Sequence, residues 1–272
     1  MPENDPFQTR VVYTLPGMEQ APVRKDLTYK TVGSVELKLD VYYPPDFQEG
    51  SQRPAVIFIH GEGPPDILKN AKNWGQYVSW GQLAAASGLV AATFNHRSSE
   101  WFTRLYEVAS DVDDLLNYVR QNAASLNIDS NQIGIWVCSG GTPVGLRAAM
   151  RESATFVRCI VVYYGRTNLE IMREKISPEA NDETLREFSP ELHLGGNTAP
   201  LLLVRAGQDS LPKVNEAIDR FLAAAIAHNV AIEFINHPGG QHAFDIFDDD
   251  ERSRSIVRRT LAFLQEHLLE KR

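Results

Sequence analysis

The stretch IWVCSGGTPVG, residues 135–145, decides how the rest of the chain is read. Ile135, Trp136 and Val137 belong to an apolar run that stops at Cys138-Ser139; two glycines follow, and the residues after them fit the start of a helix. A strand that turns sharply into a helix carries the residue at the turn to an exposed tip, which is how a nucleophile is aimed at its substrate. Cys138 and Ser139 both qualify by chemistry. Small residues must flank such a turn because strand and helix pass close together, hence the pattern G-x-S-x-G. Centred on Ser139 the window is Val-Cys-Ser-Gly-Gly, with the downstream glycine in place and Val137 upstream. Centred on Cys138 it is Trp-Val-Cys-Ser-Gly, which puts Trp136 where room is least. Sterics favour Ser139 and leave Cys138 as the alternative.

Outward from this turn, the runs AVIFIH (55–60), LVAATFN (89–95), IGIWVC (133–138), CIVVYYG (159–165), PLLLVRAG (200–207) and IEFIN (232–236) are nearly continuous apolar segments. Strands buried on both faces of a parallel sheet read this way. Upstream, DLTYKTVG and VELKLDVYYP alternate polar and apolar residues around Gly33-Ser34 and predict an antiparallel hairpin. Helical patterns fit YVSWGQLAAASG, SDVDDLLNYVRQNAASL, VNEAIDRFLAAAIAHN and RSIVRRTLAFLQEHLL. In the second of these, Val112, Leu115, Leu116, Val119, Ala123 and Leu126 share one face, and Ser110 with Asp113 three residues on is expected to cap its start. Alternating strands and helices predict an α/β fold: a mostly parallel sheet with an N-terminal antiparallel hairpin and helices on both faces. Residues 1–25 are expected to form an extended lead-in and 26–272 one domain, within which 166–199, with Pro178, Pro190 and Gly195-Gly196, reads as a lid or insertion near the site.

Hydrophobic residues at 43% and charged residues at 23% supply a sizeable core and no disorder signature. A net charge of -8 without a Lys/Arg run argues against a nucleic-acid or anionic-membrane partner. The N-terminal MPENDPFQTR has acidic and polar residues where a secretory signal has a basic and then an apolar segment, so a cytoplasmic protein is expected. No apolar run approaches the ~18–20 residues of a membrane span. Cys138 and Cys159 are expected as reduced thiols. A G-x-G-x-x-G fingerprint is absent, so no nicotinamide or flavin cofactor is expected. FDDDE (247–251) reads as a solvated acidic lead into the last helix rather than a metal site. A homo-oligomer is compatible with the sequence.

A hydroxyl nucleophile at the turn needs an acid after a later strand and a histidine after the last one. LLLVRAGQDS places Asp209 just past a buried strand, and EFINHPGGQHAFD places His242 after the final one. Both fall at carboxyl ends of strands, where sites of open α/β sheets gather. His237 competes with His242 but is still in the strand and precedes a proline, whereas His242 lies beyond Gly239-Gly240 on a connection able to reach across the sheet. Charge developing on a substrate carbonyl oxygen calls for preorganised amides. FIHGEGPP offers one near Glu62, and Gly140 offers the other. His60 reads as a strand-end residue. Trp74, Trp80, Trp101, Phe102 and Tyr106 either line a pocket or pack the core, and aromatics at these spacings are more often packing.

The HG turn at 60–61, the SGG elbow at 139–141, the G-x-D acid loop at 207–209 and the H-x-F-D loop at 242–245 stand in order within about residues 27–270. In this the chain resembles the α/β-hydrolase superfamily, and within it the carboxylesterase and dienelactone-hydrolase-like branch. The resemblance implies Ser139 as nucleophile, His242 as general base and acid, Asp209 as its orienter, and an acyl-enzyme route for a small-molecule ester. Two features depart from the pattern: Val137 stands for the elbow glycine, and the acid loop is one residue shorter than G-x-x-D. Dienelactone hydrolases use a cysteine, which keeps Cys138 open, with Glu62 as its acidic neighbour. A non-catalytic binding protein of the same fold is the reading from another class, with Val137 its main support.

Overall fold

Single-residue alternation builds the centre of the molecule. In β3 (Arg53–Ile59), Ile57 and Ile59 join one buried cluster while Val56 and Phe58 join another on the opposite face. In β5 (Ile128–Cys138), Ile135 and Val137 go one way, Trp136 and Cys138 the other. A strand with both faces covered must be apolar throughout, which explains the unbroken runs. The computed structural model describes residues 7–151, 154–195 and 197–269.

The hairpin is formed by β1 (Val23–Val32) and β2 (Val35–Tyr42), with Val32 opposite Val35. Gly33 takes the left-handed conformation at its turn, φ 61°. With β4 (Val90–Phe94), β6 (Val157–Tyr163), β7 (Leu201–Ala206) and β8 (Ile232–His237), the eight strands form one sheet in the order β1-β2-β4-β3-β5-β6-β7-β8. The strands from β4 to β8 in that order run parallel, and β2 joins β4 antiparallel.

Along the chain the helices are α1 (Pro65–Leu68), α2 (Gly75–Ala86), α3 (Leu105–Gln121), α4 (Thr142–Met150), α5 (Asp182–Glu187), α6 (Val214–Ala227), α7 (Phe244–Phe247) and α8 (Glu251–Leu268). Side chains of α3, α4 and α6 fill one face of the sheet; those of α2 and α8 fill the other. The helix expected from Ser110 starts at Leu105 instead, because Leu105, Val108 and Ala109 extend the buried stripe backwards. Ser110 is therefore inside the helix, where its hydroxyl accepts from Lys30 Nζ at 2.9 Å. Ala123 and Leu126 lie in turns beyond the helix end at Gln121. The acidic run before the last helix ends in its cap: Asp250 accepts from the Ser253 amide at 2.7 Å.

The described part of the lead-in lies along α2, with the Gly75 amide donating to Phe7 O at 2.7 Å and the Val11 amide to Ser79 Oγ at 2.9 Å; residues 1–6 lie outside the described residues. Between β6 and β7 the chain carries α5 and buries Leu169, Leu185 and Phe188 against the α3-α4-α6 layer; Gly196, Glu152 and Ser153 are outside the described residues. Among the described residues no helix is long and apolar enough to cross a membrane.

Candidate active site

β5 ends extended at Cys138, with φ -136° and ψ 157°, and the next residue reverses to φ 46°. That residue is Ser139. A side-chain-bearing residue in this conformation costs roughly 1–2 kcal/mol, offset here by the contacts on both sides of it. The Arg166 amide donates to Ser139 O at 3.2 Å. Gly140 and Gly141 then lie so close to the end of β3 that a Cβ on them would stand 2.3 Å from Glu62 Cβ and 2.2 Å from His60 O. Only glycine fits at either place.

Val137 occupies the strand position where the elbow pattern has glycine. The room it needs comes from the helix: a Cβ on Gly145 would stand 2.3 Å from Val137 Cγ1. The small residue has moved from strand to helix, and the strand-helix approach is kept.

Asp209 and His242 meet because their loops are tied together. The Gly207 amide donates to His237 O and the Gln208 amide to Gly240 O, each at 2.8 Å. A Cβ on Gly207 would stand 2.5 Å from Pro238 O. This tight seam lets the short G-x-D loop reach the histidine. Asp209 Oδ2 accepts from His242 Nδ1 at 2.7 Å, and Oδ1 accepts from the Leu211 amide at 2.9 Å. His242 Nε2 lies 2.9 Å from Ser139 Oγ. With Nδ1 donating to the carboxylate, Nε2 is the free acceptor for the serine proton. The His242 side chain is 23% exposed and that of Asp209 fully enclosed.

The competing residues are elsewhere. His237 Nε2 pairs with Ser253 Oγ at 2.9 Å. The Cys138 side chain, 3% exposed, belongs to the cluster under α2 and α8, and its sulfur is 3.5 Å from Tyr77 Oη. Burial pushes the Cys138 thiol up to about 12, so it is protonated at neutral pH.

Glu62 and Gly140 are adjacent, the Glu62 amide nitrogen lying 3.0 Å from where a Gly140 Cβ would be. Gly61 passes over Ser139: a Cβ there would be 3.3 Å from Ser139 Cβ. The Gly61 amide is fixed by Tyr77 Oη at 3.1 Å. The Glu62 carboxylate does not reach the thiol. Its Oε1 accepts from Ser98 Oγ at 2.7 Å and the Gly63 amide at 3.1 Å, and its Oε2 from the Ser99 amide at 3.1 Å and the Ser99 hydroxyl. These serines in turn hold Glu100, Trp101 and Phe102, all at positive φ, through Ser98 Oγ to the Glu100 amide and Ser99 Oγ to the Phe102 amide. Trp101 is left exposed on that loop, while Trp80 and Phe102 are buried. His60 is buried at the strand end, stacked on His96 at 3.5 Å; burial and the neighbouring imidazole hold it well below the usual histidine range.

Several residues at the site carry no sequence signal of their own. Tyr164 sets its ring 4.7 Å from His242, and the Arg166 guanidinium stands over the Phe102 ring. Each follows β6 directly, so position at a strand's carboxyl end is the clue that could have found them.

The sheet order and the gathering of Ser139, Asp209 and His242 at strand ends define an α/β-hydrolase fold. The chain belongs to the BD-FAE family of α/β-hydrolase-type esterases, whose model matches residues 39–221. Among solved structures, it is similar to the native form of the thermophilic esterase Est2 of Thermogutta terrifontis, with 23% identity, 94% of this chain and 96% of that chain covered, and a TM-score of 0.71. The same organism's esterase 2 phosphorylated by paraoxon matches with 22% identity, coverage of 95% and 98%, and a TM-score of 0.67. Its butyrate-bound form matches with 21% identity, coverage of 94% and 98%, and a TM-score of 0.67. At these identities the likeness is one of fold. No curated protein sequence matches the chain.

Proposed function

We propose that this protein is a serine hydrolase of small carboxylic esters acting through an acyl-enzyme. The observation that carries the reading is the unbroken chain from Ser139 Oγ to His242 Nε2 at 2.9 Å and from His242 Nδ1 to Asp209 Oδ2 at 2.7 Å. In the acylation step His242 takes the Ser139 proton as Oγ attacks the ester carbonyl, and the imidazolium returns it to the departing alcohol. Water then attacks the acyl-enzyme by the same route in reverse. Asp209 holds the tautomer and stabilises the imidazolium. The amides of Glu62 and Gly140 are the donors for the oxyanion, each contributing about 3 kcal/mol to the transition state. Membership of the BD-FAE family supports ester chemistry, as does the Thermogutta terrifontis esterase phosphorylated by paraoxon. A cytoplasmic setting is supported by the two free, buried thiols.

The test is a panel of 4-nitrophenyl esters of increasing acyl length, with paraoxon as covalent probe. Turnover abolished in Ser139→Ala and a diethylphosphoryl adduct mapped to Ser139 are expected. An adduct at Cys138 with Ser139→Ala still active would sink the reading.

A further inference from the structure

Arg166 begins the segment after β6, and its backbone is tied to the nucleophile through the bond to Ser139 O. The residue is only 9% exposed. Its Nε is enclosed without a partner, and its guanidinium makes no hydrogen bond or ion pair among the described residues. The guanidinium carbon stands 5.1 Å over the ring of Phe102. Phe102 is held by Ser99, which also binds Glu62, and Glu62 backs onto Gly140. The fields of both Glu62 and Asp209 act on the guanidinium. The cation is thus set among the residues that surround Ser139.

Neither neighbouring carboxylate is its partner. Glu62 is occupied by Ser98, Ser99 and Gly63, and Asp209 by His242 and Leu211. Two further buried polar atoms also lack partners: Thr167 Oγ1, on the next residue of the chain, and Thr142 Oγ1, which would lie 2.6 Å from a Cβ on Gly165. A buried cation without a counter-ion is unfavourable in the free protein, and an arriving anion relieves it. A planar fork of donors matches a carboxylate in two-point contact.

We propose that Arg166 is a specificity residue that receives a carboxylate of the substrate, so that the preferred esters carry a free carboxylate. The proposal rests on the serine-hydrolase reading above. Burial lowers the guanidinium pKa from its usual range, the direction expected of a cation held out of water without a counter-ion.

Two matched pairs test it. One sets 4-nitrophenyl hydrogen adipate against 4-nitrophenyl hexanoate, with the charge on the acyl side; the other sets 4-acetoxybenzoate against its methyl ester, with the charge on the leaving group. Wild-type kcat/KM should favour the charged member of at least one pair tenfold or more. Arg166→Met should shrink that ratio at least tenfold, and Arg166→Lys should restore part of it. A wild-type protein that hydrolyses the neutral members without preferring either charged one overturns the proposal, whether or not the variants fold. So does an unchanged ratio in a folded Arg166→Met protein. No turnover of any ester, with no paraoxon adduct at Ser139, would instead overturn the hydrolase reading and this proposal with it.

Discussion

The Tyr164 hydroxyl donates to the carboxylate of Asp245 at 2.6 Å, and the Tyr164 ring packs against His242. Asp245 is fully buried and also accepts from Gln76 Nε2 and Trp80 Nε1, each at 2.9 Å. A residue three positions after His242 therefore anchors the wall against which the imidazole rests.

Removing that anchor should be felt first in stability. Asp245→Ala leaves two buried donors, the Tyr164 hydroxyl and Trp80 Nε1, without an acceptor, while Gln76 Nε2 keeps the Tyr164 oxygen; at about 1–3 kcal/mol for each orphaned donor, unfolding free energy in urea should fall by roughly 2 kcal/mol or more. Tyr164→Phe keeps the ring and loses two bonds, the one the hydroxyl donates to Asp245 and the one it accepts from Gln76 Nε2 at 3.0 Å. It should cost about 1–2 kcal/mol and lower kcat only a few-fold. A Tyr164→Phe protein without esterase activity would show that the hydroxyl takes part in the reaction.

Cys138 offers a prediction in pH. With its thiol near 12 because of burial, the thiolate fraction at pH 8 is roughly one part in 10⁴. Thiolate is the reactive form and appears only as pH climbs towards that value. Iodoacetamide should therefore leave the native enzyme active from pH 6 to 9, and Cys138→Ala should keep kcat within a few-fold. Rapid inactivation at pH 7 with an adduct on Cys138 would argue for a thiol mechanism.

What the sequence makes legible follows from how local each signal is. β3 and β5 are readable because burial on both faces leaves an unbroken apolar run, and Ser139, Asp209 and His242 are readable because each follows such a run. The start of α3 is not readable from Ser110-Asp113, since that pair fits a cap and a mid-helix position equally well. Tyr164 and Asp245 are 81 residues apart and joined only by the fold. Arg166 is still harder to see, because an unpaired buried cation is defined by the partners it lacks.

Asp209 should act through His242 alone. Asp209→Asn keeps the shape and the Leu211 amide bond, but its amide nitrogen can face Nδ1 and favour the wrong tautomer. With folding preserved, kcat should fall by about 10³ to 10⁴. Near-normal activity in this variant would transfer the orienting role to another acid.

The last prediction concerns Val137 and Gly145, which together replace the usual glycine of the elbow. Contact is close: a Cβ on Gly145 would stand 2.3 Å from Val137 Cγ1, and its next neighbour, Ile59 Cδ1, is 3.0 Å away at the end of a side chain that can turn aside. Gly145→Ala should therefore destabilise the fold by about 1–3 kcal/mol through overpacking, and by tilting α4 should also weaken catalysis at Ser139. Val137→Ala alone removes buried methyl groups and should cost about 1–3 kcal/mol with kcat largely kept. In the double variant the alanine methyl at 145 enters the space the valine leaves. Its destabilisation should be less than the sum of the two by about 1 kcal/mol or more, as expected for residues in contact, and activity lost in Gly145→Ala should return. Additive costs in urea unfolding, with no recovery of turnover, would mean that the elbow accommodates Val137 by some means other than the missing side chain at Gly145.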